Sequence, residues 1–296
     1  MDKKEKETKK QVTEKKPIEN RKVVLITGSN RGIGYGIIEG LLEKKSKLRI
    51  IMSARNDELG QAAYNELCEK YPEEKDHFFY HQLDITKEES ISDLVQWIKT
   101  TFKKIDYLVN NAGVSTKGTA FDIDVFNTTF DVNVYGTIGF TEKILQSEVF
   151  NKQGKIIIVG SLSGKLSRLT NELLISTFKN AKNTDDLLKL TEKYKNCIIN
   201  NNVEEEGWCK NTYTVSQIIL NTYARVLAHR RDITKEQISV YACNPGSVQT
   251  EMGGEHAPLT IKEGAECEIF LLELPDGINK EYQGKFFDKC KVSSFD

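Results

Sequence analysis

Short, mostly apolar runs alternate with segments of helical period from residue 22 almost to the end of the chain, and this alternation restricts the fold more than any other feature. The runs lie at 22–27, 48–54, 78–83, 105–110, 155–160 and 238–243, with a seventh at 284–287. Strands that are apolar on both faces must be covered on both, as in a parallel sheet with helices above and below. The intervening segments supply those helices. In 87–102, Ile91, Leu94, Val95 and Ile98 recur at the spacing that lines one helix face. Segments 33–45 and 57–71 are also helical in character. No internal repeat or linker divides the pattern, so one Rossmann-like, doubly wound α/β domain of about seven strands is expected over 21–296. The rhythm breaks at 163–210, a stretch rich in Asn, Lys and Leu whose middle, 184–194, looks helical. It reads as an insertion packed over one end of the sheet.

Composition excludes several classes of function. Lysine and arginine number 42 against 43 aspartate and glutamate, so no bulk attraction to nucleic acid or an anionic membrane is expected. No apolar run approaches the roughly 18–20 residues needed to cross a bilayer. The six cysteines contain no C-x-x-C pair and the four histidines are dispersed, which argues against a metal site or a disulfide framework and for a reducing cytoplasm. Residues 1–20 alternate lysine with glutamate and lack an apolar core, so they are neither a secretory signal nor a transit peptide. Two readings of this tail stand: a solvated, disordered segment, or a docking arm that orders on a larger assembly.

The first chemical motif is TGSNRGIG at 27–34, between the first strand and the first helix. Gly28 permits the tight turn, Gly32 lets the backbone approach a pyrophosphate, and Gly34 allows close helix–strand packing. The helix N-terminus then offers N–H groups to the phosphates. An acidic residue at the end of the second strand would bind a ribose 2′-hydroxyl and repel a 2′-phosphate. This chain has Ser53-Ala54-Arg55 there, and Arg31 inside the loop. Two guanidinium groups favour a phosphate, which points to NADP(H). The competing reading makes Arg55 an ordinary surface arginine.

With these residues in place the chain resembles the short-chain dehydrogenase/reductase family, and within it the monomeric NADPH-dependent carbonyl reductases. The resemblance implies cofactor contacts from Gly28, Asn30, Arg31, Gly32, Ile33 and Gly34 in the glycine loop, and from Arg55 after it. Asp84 in HQLDIT resembles the adenine-contacting aspartate, with Ile85 beside it. Asn111, Ala112 and Gly113 belong to NNAG at the end of the fourth strand. Pro245, Gly246, Val248 and Thr250 belong to CNPGSVQT, which looks like the segment that contacts the nicotinamide. Asn133 matches the family's structural and proton-relay asparagine, Ser161 the catalytic serine and Tyr213 the catalytic tyrosine. Ser161 and Tyr213 are separated by the whole insertion, a spacing similar to the carbonyl reductases. There the inserted helices cover the surface used for tetramers, which implies a monomer. Trp208 and Met252 would line the substrate pocket, or else serve as core filler.

One position departs from the family. Gln217 stands four residues after Tyr213, where the family has a lysine that binds the nicotinamide ribose and lowers the tyrosine pKa. Residues i and i+4 share a helix face, so the amide can occupy the lysine's place and bond a ribose hydroxyl, but it carries no charge. A free tyrosine titrates near ~10. A cation about 4 Å away, at an effective dielectric of about 20, is worth roughly 4 kcal/mol, or about three pKa units. Poorly matched acid–base catalysis loses on the order of 10²–10⁴ in rate. Two functions are therefore expected to compete. One is weakened reduction of aldehydes, ketones or quinones. The other is a degenerate NADP(H)-binding subunit of an assembly. Lys165 and Lys210 are the nearest basic residues by chain position that could fill the gap.

Overall fold

The apolar runs become strands of one sheet in the computed structural model, which describes residues 21–116 and 120–296. The tail at 1–20, and with it the choice between solvated segment and docking arm, lies outside the described residues. In chain order the elements are β1 (Lys22–Ile26), α1 (Gly32–Glu43), β2 (Leu48–Ala54), α2 (Asp57–Lys70), β3 (Phe78–Gln82), α3 (Glu88–Thr101) and β4 (Ile105–Asn110). The second half comprises α4 (Ile123–Phe130), α5 (Thr137–Gln146), β5 (Phe150–Val159), α6 (Glu172–Asn180), α7 (Thr184–Ile199), α8 (Thr212–Ala228), α9 (Arg231–Lys235), β6 (Ser239–Asn244), α10 (Ile261–Gly264), α11 (Glu266–Glu273), β7 (Phe286–Asp288) and β8 (Lys291–Ser293).

The strand order is β3-β2-β1-β4-β5-β6-β7-β8. Strands β1 to β7 are parallel, and β8 pairs antiparallel with β7. The order reverses between β1 and β4, which opens a crevice at their carboxyl ends, the place where this kind of sheet binds ligands. Alternate residues of β1 feed the two covering layers. Val23 and Leu25 join the core shared with α3, α4, α5 and α8. Val24 and Ile26 join the core shared with α1, α2 and α11. The face read from the third helical segment is the buried one: Ile91, Leu94, Val95 and Ile98 all point into the first core.

The eighth strand was not expected from the sequence. It follows a two-residue turn in which Lys289 and Cys290 have φ of 49° and 59°. Turns with both central residues at positive φ close tight hairpins and usually announce themselves as Asn-Gly or Asp-Gly. Here Lys-Cys does the work and leaves no such signal. The insertion holds two helices, α6 and α7, rather than one. Its centre is aromatic: Trp208 lies 5.0 Å from Tyr194 and 5.9 Å from Phe178, ring centroid to ring centroid. Among the described residues no helix is long and apolar enough to cross a membrane.

Candidate active site

The glycine loop is held from below by β4. The Thr27 hydroxyl accepts the backbone N–H of Asn111 and of Ala112, each at 3.0 Å. The Asn111 amide donates to the carbonyls of Thr27 (2.8 Å) and Gly28 (2.9 Å). Gly28 has φ of +60°, and a Cβ there would lie 2.8 Å from the Ala112 Cα, so no other residue fits. Asn111 thus acts on the loop's shape. Helix α1 opens on Arg31, whose side chain makes no capping bond, and its first turn contains no acid. The first N–H groups of α1 therefore keep their capacity for an anion, with the helix dipole behind them.

The two arginines occupy different situations. Arg55 is exposed just beyond β2. Arg31 is ion-paired with Glu251, reaching across to the segment after β6. In that segment Thr250 packs against the glycine loop at Gly32. Gly246 has φ of +85°, and Val248 forms a bridge to Leu259. Asp84 is tied down locally: its carboxylate accepts the N–H (2.9 Å) and hydroxyl (2.7 Å) of Thr86. Ile85 is buried beside it.

Asn133 lies in a π-helical turn, Asp131–Gly136, between α4 and α5. Such turns recur at functional sites. Its carbonyl accepts the Val114 N–H (2.8 Å), and its amide donates to the Val114 carbonyl (2.9 Å) and the Ser216 hydroxyl (3.1 Å). Both amide hydrogens are thereby used. The side chain fastens the segment after β4 to α8.

Ser161 follows β5 and caps a short 3₁₀ turn, its hydroxyl accepting the Ser163 N–H at 3.0 Å. The fold brings Ser161 and Tyr213, distant in sequence, close enough for the serine hydroxyl to act on the phenol. Burial pushes the Tyr213 phenol above the usual tyrosine pKa. The neighbouring Ser161 hydroxyl offsets part of that shift, and among the described residues no cation contributes. Lys210 lies instead over the Phe121 ring, 5.7 Å from its centroid. Gln217 is 4% exposed, and its Oε1 has no partner.

Two residues that the sequence did not single out hold Ser161 in place. Asn221, one turn further along α8 and fully buried, donates to the carbonyls of Ser161 (3.0 Å) and Gly164 (3.1 Å). The approach is close: a Cβ on Gly164 would lie 2.5 Å from the Gln217 backbone. Asn244 accepts the Leu162 N–H (3.2 Å) and donates to Asp288 (2.8 Å), linking the serine turn to β7.

A cavity of about 100 Å³ opens beside Tyr213, lined by residues from the segment after β4 and from the start of α8. Neither Trp208 nor Met252 is among its lining residues. Trp208 fills the core of the insertion, and Met252 is half exposed on the surface. A wider groove of about 720 Å³ along α7 shares no residue with the site. The glycine cradle and the open α1 N-terminus together fit a dinucleotide.

Comparison with known proteins agrees with this geometry. The sequence profile described as short chain dehydrogenase matches residues 22–173. Carbonyl reductase 3 of Rattus norvegicus, an NADPH enzyme by name, is 32% identical over 86% of this chain and 91% of its own length. The (+)-neomenthol dehydrogenase of Arabidopsis thaliana is 29% identical over 94% of this chain and 99% of its own length. Among solved structures, salutaridine reductase from Papaver somniferum superposes with a TM-score of 0.79 at 25% identity, covering 90% of this chain and 99% of that one.

Proposed function

The chain belongs to the short-chain dehydrogenase/reductase family, and we propose that within it the protein is an NADPH-dependent carbonyl reductase-like oxidoreductase acting on aldehydes, ketones or quinones, slowed because Gln217 stands in the lysine's place. The observation that carries this reading is that the fold brings Ser161 and Tyr213 together with a neutral, buried amide one helical turn from the phenol. The names of the carbonyl reductase relatives support the reaction class and the phosphorylated cofactor. The absence of an acid at Ser53-Ala54-Arg55 agrees with that choice.

The glycine loop and the α1 N-terminus would hold the pyrophosphate, Arg55 the 2′-phosphate, and Gln217 a hydroxyl of the nicotinamide ribose. A reduced nicotinamide bound there supplies the hydride. Ser161 donates a hydrogen bond to the substrate's carbonyl oxygen and fixes its position. Tyr213 delivers its phenol proton to that oxygen as negative charge develops on it. Asn133 keeps α8, and therefore Tyr213, in register with the segment after β4. A monomer in a reducing cytoplasm completes the proposal, supported by helix α7 packing against α4 and α8 and by six unbonded thiols.

The second reading, a degenerate NADP(H)-binding subunit of an assembly, is favoured by the same uncharged Gln217. One paired experiment separates the two. NADPH binding is followed by fluorescence, and NADPH consumption with a reactive quinone is measured for the native chain and for Gln217→Lys. The enzyme reading expects measurable native turnover, raised about 10²-fold or more by lysine. Binding without native turnover would identify the degenerate subunit, and failure to bind NADPH would contradict both.

A further inference from the structure

The cavity beside Tyr213 is polar. Ser115, Thr116, Lys210, Asn211 and Thr212 line it, and Phe121 supplies its aromatic wall. No acid is found among its described lining residues. The one cation among them, Lys210, has no carboxylate partner among the described residues, although a run of glutamates lies just before it in sequence. Glu206 of that run turns away to pair with Lys193 at 3.4 Å. Lys210 is laid over Phe121 at the cavity instead. The carbonyl oxygen of Asn211 caps α8 by accepting the Thr214 N–H at 2.8 Å, so the rest of that amide is a donor. The first turn of α8 contains no acid. Among its described lining residues the cavity thus offers hydroxyls, the Asn211 amide and one ammonium without a carboxylate partner.

We propose that the substrate carries a carboxylate a few bonds from its carbonyl, and that Lys210, with the hydroxyls of Ser115, Thr116 and Thr212, receives that carboxylate. This rests on the carbonyl-reductase reading and names its substrate class. Tyr213 lines the same small cavity, which sets the anion site beside the proton donor. The flat Phe121 surface suits an aromatic or conjugated link between them. An apolar ketone or quinone would leave this wall unpaired and gain nothing from Lys210.

The test compares 4-formylbenzoate with its methyl ester. Binding of each to the full chain is measured by NMR titration, with and without NADPH, for the native protein, Lys210→Met and Lys210→Glu. The methionine keeps an apolar stem over Phe121 and removes the charge. The native chain should bind the carboxylate about tenfold more tightly than the ester. Lys210→Met should abolish that preference, Lys210→Glu should reverse it, and ester and NADPH binding should be unchanged in both variants. Raising the salt concentration should weaken only carboxylate binding to the native chain. Equal native affinities, a preference that survives Lys210→Met, or no carboxylate binding at all would overturn the proposal. Loss of NADPH binding or of turnover, with the carboxylate preference intact, would instead defeat the reductase reading alone.

Discussion

Glu268 is a carboxyl held far from its ordinary chemistry. It sits on α11, fully buried; its Oε1 accepts the Cys243 thiol at 3.3 Å and its Oε2 has no partner. Burial pushes its pKa up to about 7 from a starting value of 4.5, with its backbone and Cys243 bonds opposing. A carboxyl whose folded pKa is raised favours the fold in its protonated form. That contribution is complete below about pH 4.5, declines as the pH rises towards 7, and is gone above it. A shift of this size corresponds to about 3 kcal/mol. Urea unfolding at pH 4.5 and at pH 8 should therefore show the native chain losing on the order of 3 kcal/mol relative to Glu268→Gln, which has no proton to lose. Parallel stability curves for the two proteins would contradict this assignment.

At the scale of elements, α8 does most of the assembly. One face carries Tyr213, Ser216, Gln217 and Asn221 toward the serine turn and the π-helical turn, and the remaining faces are buried in the core. Asn221 bridges the Ser161 carbonyl, which also accepts the Gly164 N–H at 2.9 Å, and the Gly164 carbonyl, which has no other partner among the described residues. Replacing it with alanine strands the Gly164 carbonyl, at a cost of about 1–3 kcal/mol, and frees the Ser161 turn to move. Denaturant unfolding should register that loss. The kcat for quinone reduction should fall while NADPH affinity stays near native. A loss of NADPH affinity in proportion to kcat would mean that Asn221 supports the cleft as a whole. This element also shows where the sequence falls silent. Tyr213 was legible because a motif surrounds it, but the role of Asn221 exists only once α8 is laid against the turn after β5. Arg31 is similar. Its place in the glycine loop was legible, whereas its pairing with Glu251 depends on how the segment after β6 folds back.

For the molecule as a whole, the doubly wound sheet was legible because its constraint is physical and repeated. Each buried strand must be apolar on both faces, and each crossover needs a helix. The closing hairpin was not, because Lys289 and Cys290 adopt positive φ without the usual glycine or asparagine. The pocket assignment of Trp208 came from the family resemblance, with core filler as its alternative, and the ring packs between Tyr194 and Phe178 in the core of the insertion. The candidate pair Ser161 and Tyr213 was named from its motif, and the fold places the two side by side. The phenol pKa is raised by burial, with the Ser161 hydroxyl opposing and no cation contributing among the described residues. At any one pH the equilibrium fixes the ratio of the two reaction directions, so the diagnostic is the pH at which alcohol oxidation levels off. The most direct measurement is the pH profile of NADP⁺-dependent alcohol oxidation for the native chain and Gln217→Lys. The native rate should climb about tenfold per pH unit through pH 9 without a plateau, and the lysine variant should level off about three units lower. A native profile that is already flat below pH 8 would show that Tyr213 ionises without the missing lysine.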